Sequence, residues 1–295
     1  MPVSITINID EGAGTPSVNV GGGTPSLPPA PTVPSRPPSD DMTMGSIGPF
    51  PDAMVAGYLS HFIMAFEFLA GDMKGRMLSI TSPPAAQTVS WGQPFIYRGA
   101  TANHQVTFPL PSNCTLPSSI TEQDFQSRPA EFFEEGKETV WLQILNLDAH
   151  MNSDLGPIRI ILGETVKREY PEIFQPSLGV AQSLGKSGFP ARLFFNPIAI
   201  VETPFGAFRA THGTLSYGRI NGFPPIGTPV TINDMVPLED VAEVRKLAKR
   251  GKLDDIVPLP TARIVALSHP IDVGFQMSGD EAFNAVELGI SKKEW

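Results

Sequence analysis

Asp148, His150, Asn152 and Asp154 are the residues whose types and spacing come nearest to a chemical site. If the strand that leaves Leu147 persists, a carboxylate and an imidazole two positions apart share one face, where they could bind a metal or relay a proton. The competing reading is a turn, because Asp, Asn and Ser hydrogen-bond their own backbone and Gly156-Pro157 follows. His212, which ends a strand pattern before Gly213, is the third candidate for an acid/base or metal role. His104 and His269 stand isolated, the latter before Pro270.

Two further stretches imitate nucleotide and hydrolase motifs and fail on spacing. Gly185-Lys186-Ser187 has the tail of a phosphate loop, but its preceding glycine, Gly179, lies one position too far away. Gly188, Phe189 and Pro190 also forbid the helix whose N-terminus would face the anion. Gly213-Thr214-Leu215-Ser216-Tyr217-Gly218 has one residue too many before its serine for a nucleophile elbow, and no helix follows. No residue pattern calls for a cofactor, and the metal reading rests on Asp148, His150 and His212 alone.

Composition narrows the class further. The formal charge of −9 gives no electrostatic reason to bind nucleic acid, which needs clustered Lys and Arg. The single cysteine, Cys114, makes neither an intramolecular disulfide nor a zinc site by itself, which fits a reducing compartment. No basic segment followed by an apolar core opens the chain, so secretion through a signal peptide is not expected. Asn113-Cys114-Thr115 matches a glycosylation sequon that means little without secretion. Charged residues are only 17% of the chain, against about 25% in typical globular proteins, so much of the surface must be uncharged or covered.

The elements that must position these residues read mainly as strands. With 31 prolines and 27 glycines in 295 residues, helices are repeatedly interrupted, and a sandwich or barrel-like body is expected. Strand patterns run over Thr139–Leu147, Ile158–Leu162, Arg192–Thr203, Ala207–His212, Thr214–Ile220 and Ala262–Leu267. Pro204-Phe205-Gly206 supplies a hairpin turn, and Asn196-Pro197 should bend the strand that it interrupts. A helix is expected over Leu238–Arg250, with acids early, bases late and Gly251 as stop. A short terminal helix is expected after the capping spacing of Ser278 and Glu281.

The chain divides by composition into an arm, residues 1–50, and a body, residues 51–295. Val3, Ile5, Ile7 and Ile9 alternate with polar residues, the pattern of a strand with one buried face. From Glu11 to Asp41 runs a tether of Gly, Pro, Ser and Thr, too broken for helix or sheet. A strand needs a ladder partner, either a neighbouring subunit's sheet edge or its own chain. Behind the arm, residues 52–70 read as an apolar helix, with Asp52 as N-cap and Phe62 and Phe66 among residues apolar on nearly every side. Such a helix fills a core or an interface, and His61 and Glu67 argue against a membrane span.

These features favour a structural subunit of a homo-oligomeric assembly, a virus or phage coat-like particle, in the cytoplasm or a virion. In that reading Val3, Ile5, Ile7, Ile9, Phe62 and Phe66 make contacts between copies, through an N-terminal arm exchanged between subunits. One alternative is a single-domain metal-dependent or acid/base enzyme using Asp148, His150 and His212. Another is an accessory subunit of a larger hetero-complex.

Overall fold

The computed structural model describes residues 48–99, 104–125, 133–210, 213, 215–225, 227–232, 235–253 and 258–270, and the backbone alone at 4–8, 17–21 and 271–273. His212, Val3, Ile9 and the expected terminal helix after Ser278 lie outside the described residues. The chain falls into two units, Met1–Asp41 and Met42–Trp295, so the boundary comes nine residues before the compositional one at 50.

In the first unit β1 (Ser4–Asn8) runs antiparallel to β2 (Ser17–Gly21), with Ile5 opposite Val20 and Ile7 opposite Val18. The alternation near the start is therefore a strand, and its ladder partner belongs to the same chain. The stretch expected to hold no sheet contains β2, because Val18-Asn19-Val20 repeats the period-2 pattern in miniature within the Gly- and Pro-rich run.

The second unit is mainly β. Its early strands are β3 (Met54–Ser60), β4 (Ile63–Phe68), β5 (Met77–Thr81), β6 (Ala85–Trp91), β7 (Phe95–Ile96), β8 (Gln105–Thr107) and β9 (Ser119–Thr121). Then come β10 (Glu138–Ser153), β11 (Gly156–Gly163), the short α1 (Glu164–Glu169), β12 (Ser177–Ser183), β13 (Ala191–Asn196), β14 (Ile200–Thr203) and β15 (Gly206–Arg209). The last are β16 (Ser216–Ile220), β17 (Pro229–Ile232), β18 (Val236–Asp240), α2 (Val241–Lys249) and β19 (Ala262–Val273). Fifteen of these strands form one sheet, and β8 and β9 make a separate hairpin.

Two long strands organise that sheet. On one edge β10 meets β12 through its first half and β11 through its second; on the other it meets β7 and β6. In the same manner β19 meets β18 and β17 on one edge, β4 and β3 on the other. The pairings therefore close a circuit through β3, β6, β10, β12, β13, β16, β17, β19 and back to β3. Inside lie Val140, Leu142, Ile144, Leu147, Ala149 and Met151 of β10, every second residue until a bulge between Ile144 and Asn146 resets the phase. The outer face is covered in places. Trp141, Leu178, Val180 and Phe194 pack under the β8–β9 hairpin residues Val106 and Ile120, while Ile161 and Ile200 pack under Val241 and Val244 of α2.

The expected helix over 52–70 is a correction: these residues form β3 and β4, which run along the same edge of β19 and are interrupted at His61-Phe62. Apolar groups on nearly every side suit a strand buried on both faces as well as a buried helix, and here pairing with β6, β5 and β19 decided it. Phe62 and Phe66, expected at an interface, are 6% and 0% exposed and belong to the body's own core. The helix over 238–250 forms from Val241, because Asp240 ends β18 and caps α2, accepting from Ala242 N at 2.7 Å and Glu243 N at 3.2 Å. The run over Arg192–Thr203 breaks at Asn196-Pro197 into β13 and β14, and the hairpin across Pro204-Phe205 forms as its turn residues require. No helix of the described residues is long and apolar enough to cross a membrane.

Candidate functional site

The outer face of β10, β11 and β14 carries a cluster of charges. Cross-strand register sets His150 of β10 opposite Arg159 of β11, and Arg159 opposite Glu202 of β14, a polar row across three strands. Asp148 stands two residues from His150 on the same face, as their spacing requires, and its Oδ1 lies 2.8 Å from His150 Nε2. The fourth wall comes from α1, which follows β11 without a loop. Gly163 turns the chain at φ 65°, where an added Cβ would stand 2.1 Å from the Leu145 carbonyl oxygen, so glycine is required. The chain then folds back and delivers Glu169 above Arg159.

Arg159 is the centre of the cluster. Its Nε and Nη2 donate to the two oxygens of Asp148 at 2.7 and 2.8 Å. Nη1 and Nη2 donate to the two oxygens of Glu169 at 2.8 and 2.9 Å, and Nη1 also reaches Glu202 at 3.3 Å. Tyr170 donates its hydroxyl to the other Glu202 oxygen at 2.6 Å. Hydrogen bonds donated to Asp148 and Glu169 hold the Arg159 guanidinium firmly protonated. Those from Arg159 hold the Glu169 carboxyl below the usual carboxylate range. Burial and the bond to Glu202 push the Tyr170 phenol up.

The structure thus brings together Asp148 and His150 and adds Arg159, Glu169, Tyr170 and Glu202, which sequence spacing did not reveal. Asn152 and Asp154 are exposed, farther along the β10–β11 hairpin, and the Ser153 hydroxyl closes that turn by donating to Gly156 O at 2.8 Å. Chemically, both oxygens of Asp148 are committed to Arg159, which opposes a metal-ligand role. The His150 side chain is 38% exposed, with its Nε2 facing Asp148 Oδ1. Among the described residues no group of three or more His, Cys, Asp and Glu is arranged to hold a metal.

The other imidazoles among the described residues are elsewhere. His104 accepts from Arg98 N at 3.2 Å beside Phe95 and Tyr97. His269 stacks on Phe62 with ring centroids 4.2 Å apart. Burial of its ring, with His61 adding to the effect, pulls its pKa down to about 3. Gly185-Lys186-Ser187 forms the turn between β12 and β13, and Ser216 begins β16. Burial pushes the Cys114 thiol up to about 11, and that thiol lies 3.8 Å from Glu164, so it is not an activated nucleophile.

No protein-family model and no curated protein matches the chain. A solved structure of DynF, from the dynemicin biosynthesis pathway of Micromonospora chersina, overlaps 81% of this chain and 93% of its own at 12% identity and a TM-score of 0.47. A likeness of that extent carries no argument about what this chain does. The class that its own structure defines is a mainly antiparallel β protein with a closed strand circuit and a surface ion cluster built around one arginine.

Proposed function

We propose that the chain is a structural subunit of a homo-oligomeric, coat-like assembly, in which the N-terminal unit docks on a neighbouring copy, in the cytoplasm or a virion. One observation carries the reading: the first unit contains a two-stranded hairpin, β1–β2, in a unit separate from the body. A two-stranded hairpin is marginal by itself in water and gains stability only against a further strand or an apolar surface. Among the described residues β1 and β2 pair only with each other, so each has a second edge that can accept an added strand. The handed-over element is then a hairpin rather than the single strand expected from sequence. The low charged fraction, 17%, agrees with a surface covered by neighbours.

The ion cluster fits this reading as a structural fastener. It ties α1 and β14 to the β10–β11 hairpin through one guanidinium, whose hydrogen bonds engage both oxygens of Asp148 and both of Glu169. Deleting Met1–Asp41 tests the proposal, with native mass and light scattering as readouts. A fall in oligomer order with an unchanged far-UV spectrum of the body supports it, and an unchanged particle size rejects it. A full-length chain that is monomeric alone also rejects it and favours an accessory role in a hetero-complex.

A further inference from the structure

A second set of polar side chains lies on the outer face, beneath the segment that runs from Phe108 to Leu116, and the protein leaves it unanswered. Gln143 of β10 stands opposite Ser90 of β6, and Asn146 stands opposite Thr88. Directly opposed side chains on one face are about 5 Å apart at Cβ and diagonal ones about 7 to 8 Å, so these four make one patch. Gln143, Asn146 and Thr88 are each 0% exposed. The Gln143 Oε1 and Nε2, the Asn146 Nδ2 and the Thr88 Oγ1 have no hydrogen-bond partner in the protein. Trp141, two residues before Gln143 on the same strand and also 0% exposed, adds an unpartnered Nε1.

The surroundings make this unusual rather than careless. Leu145 and Leu116 pack together beside the patch, with Val55 and Leu110 against them, so an unbonded amide there is surrounded by groups that cannot compensate it. A buried polar atom left without a partner costs more than an average hydrogen bond contributes, and native proteins hold few of them. Gly57, Thr88's partner on β3, adds no side chain beside it. The covering segment is fastened at both ends. Ser90 donates its hydroxyl to Pro109 O at 2.7 Å, and Glu164 accepts from Thr115 N at 3.1 Å and Thr115 Oγ1 at 2.7 Å. Lys167 also donates to Thr115 O.

We propose that this enclosed patch is a binding site for a small uncharged molecule with an amide-type edge, one acceptor beside one donor. The Gln143 carboxamide presents the matching pair. Thr88 Oγ1 serves either polarity, and Asn146 Nδ2 adds a donor for a second acceptor on the ligand. No charged side chain belongs to the patch, which selects against ions. The covering segment must detach from Ser90 and Glu164 for the ligand to enter, so exchange is slow.

The experiment uses the full chain, labelled with nitrogen-15 and titrated with acetamide as the smallest probe of that class. The Gln143 side-chain amide and Trp141 indole resonances are expected to shift saturably, with acetate at the same concentration leaving them unmoved. Gln143→Leu and, as a second variant keeping the shape, Thr88→Val are expected to weaken the acetamide response at least tenfold while the backbone spectrum stays folded. A response absent in the native chain, equal for acetate, or unchanged in the folded variants overturns the site, as does a crystal structure of the acetamide-soaked protein with ordered water alone between Gln143 and Thr88.

Discussion

Arg159 and Arg209 lie on the same outer face of one sheet and meet opposite fates. Arg159, with its side chain 20% exposed, is answered by Asp148, Glu169 and Glu202. Arg209 of β15 is 0% exposed, and its Nη2 donates to Gln175, while Nε and Nη1 have no hydrogen-bond partner. Its compensating charge is Glu239, opposite on β18 and itself 2% exposed. Burial pulls the Arg209 pKa down to about 10, with Glu239 opposing that fall. The difference teaches that partner count and burial, rather than the presence of an ion pair, decide what a charge does for stability. At the surface the carboxylates would repel one another without Arg159, whereas inside the guanidinium itself is the liability.

The strongest way to break this comparison is Glu239→Gln, which leaves a buried guanidinium with no counter-charge. A loss of about 3 to 5 kcal/mol is expected by urea denaturation. The double variant Arg209→Met, Glu239→Leu should recover most of it, since apolar groups of similar volume often replace a buried pair at no cost. A double variant as unstable as the single one would show that Arg209 contributes favourably where it stands.

Arg159→Ala comes next. It leaves three carboxylates facing one another, and a loss of about 2 to 3 kcal/mol is expected, reduced from the buried case because solvent reaches the cluster. Raising salt to about 0.5 M should shrink that loss and leave the Glu239→Gln loss nearly unchanged, because only exposed charges are well screened. Tyr170→Phe, which removes a single hydrogen bond to Glu202, should cost about 1 kcal/mol.

Smallest at neutral pH, but largest in acid, is the effect of His269→Phe. The folded state holds His269 well below its ordinary value of 6.5, at about 3, so the unfolded chain binds the proton first. Its contribution is fully present above pH 6.5 and is lost as pH falls through that window toward 3. Glu169, held below its ordinary 4.5, contributes above that value and loses its contribution as pH falls through its folded pKa. His269→Phe should therefore flatten the stability profile between about pH 6.5 and 4.5, and Arg159→Ala should flatten it below. A wild-type profile already flat between pH 6.5 and 4.5 would remove the assignment for His269.

Much of the architecture was legible because it depends on local rules. The alternation in Thr139–Leu147 is the first half of β10, the Pro204-Phe205 turn joins β14 to β15, and the run expected as a helix over Leu238–Arg250 contains α2. Asp148 and His150 were legible as a pair, since a strand's period of two sets them on one face. Residues 52–70 were not, because a segment buried on both sides carries no periodicity to separate helix from strand. Nor were Glu169 and Glu202, whose place beside Arg159 depends on the turn at Gly163 and on the pairing of β11 with β14.

By itself, then, the sequence determined the β-rich class and several of its strands and turns, because period, turn residues and composition act over a few neighbours. Only the tertiary structure decided which charges are answered, which stay buried without partners, and that Phe62 and Phe66 fill a core. Those outcomes depend on which distant strands pair, and pairing is settled by the burial of the whole sheet rather than by any one segment.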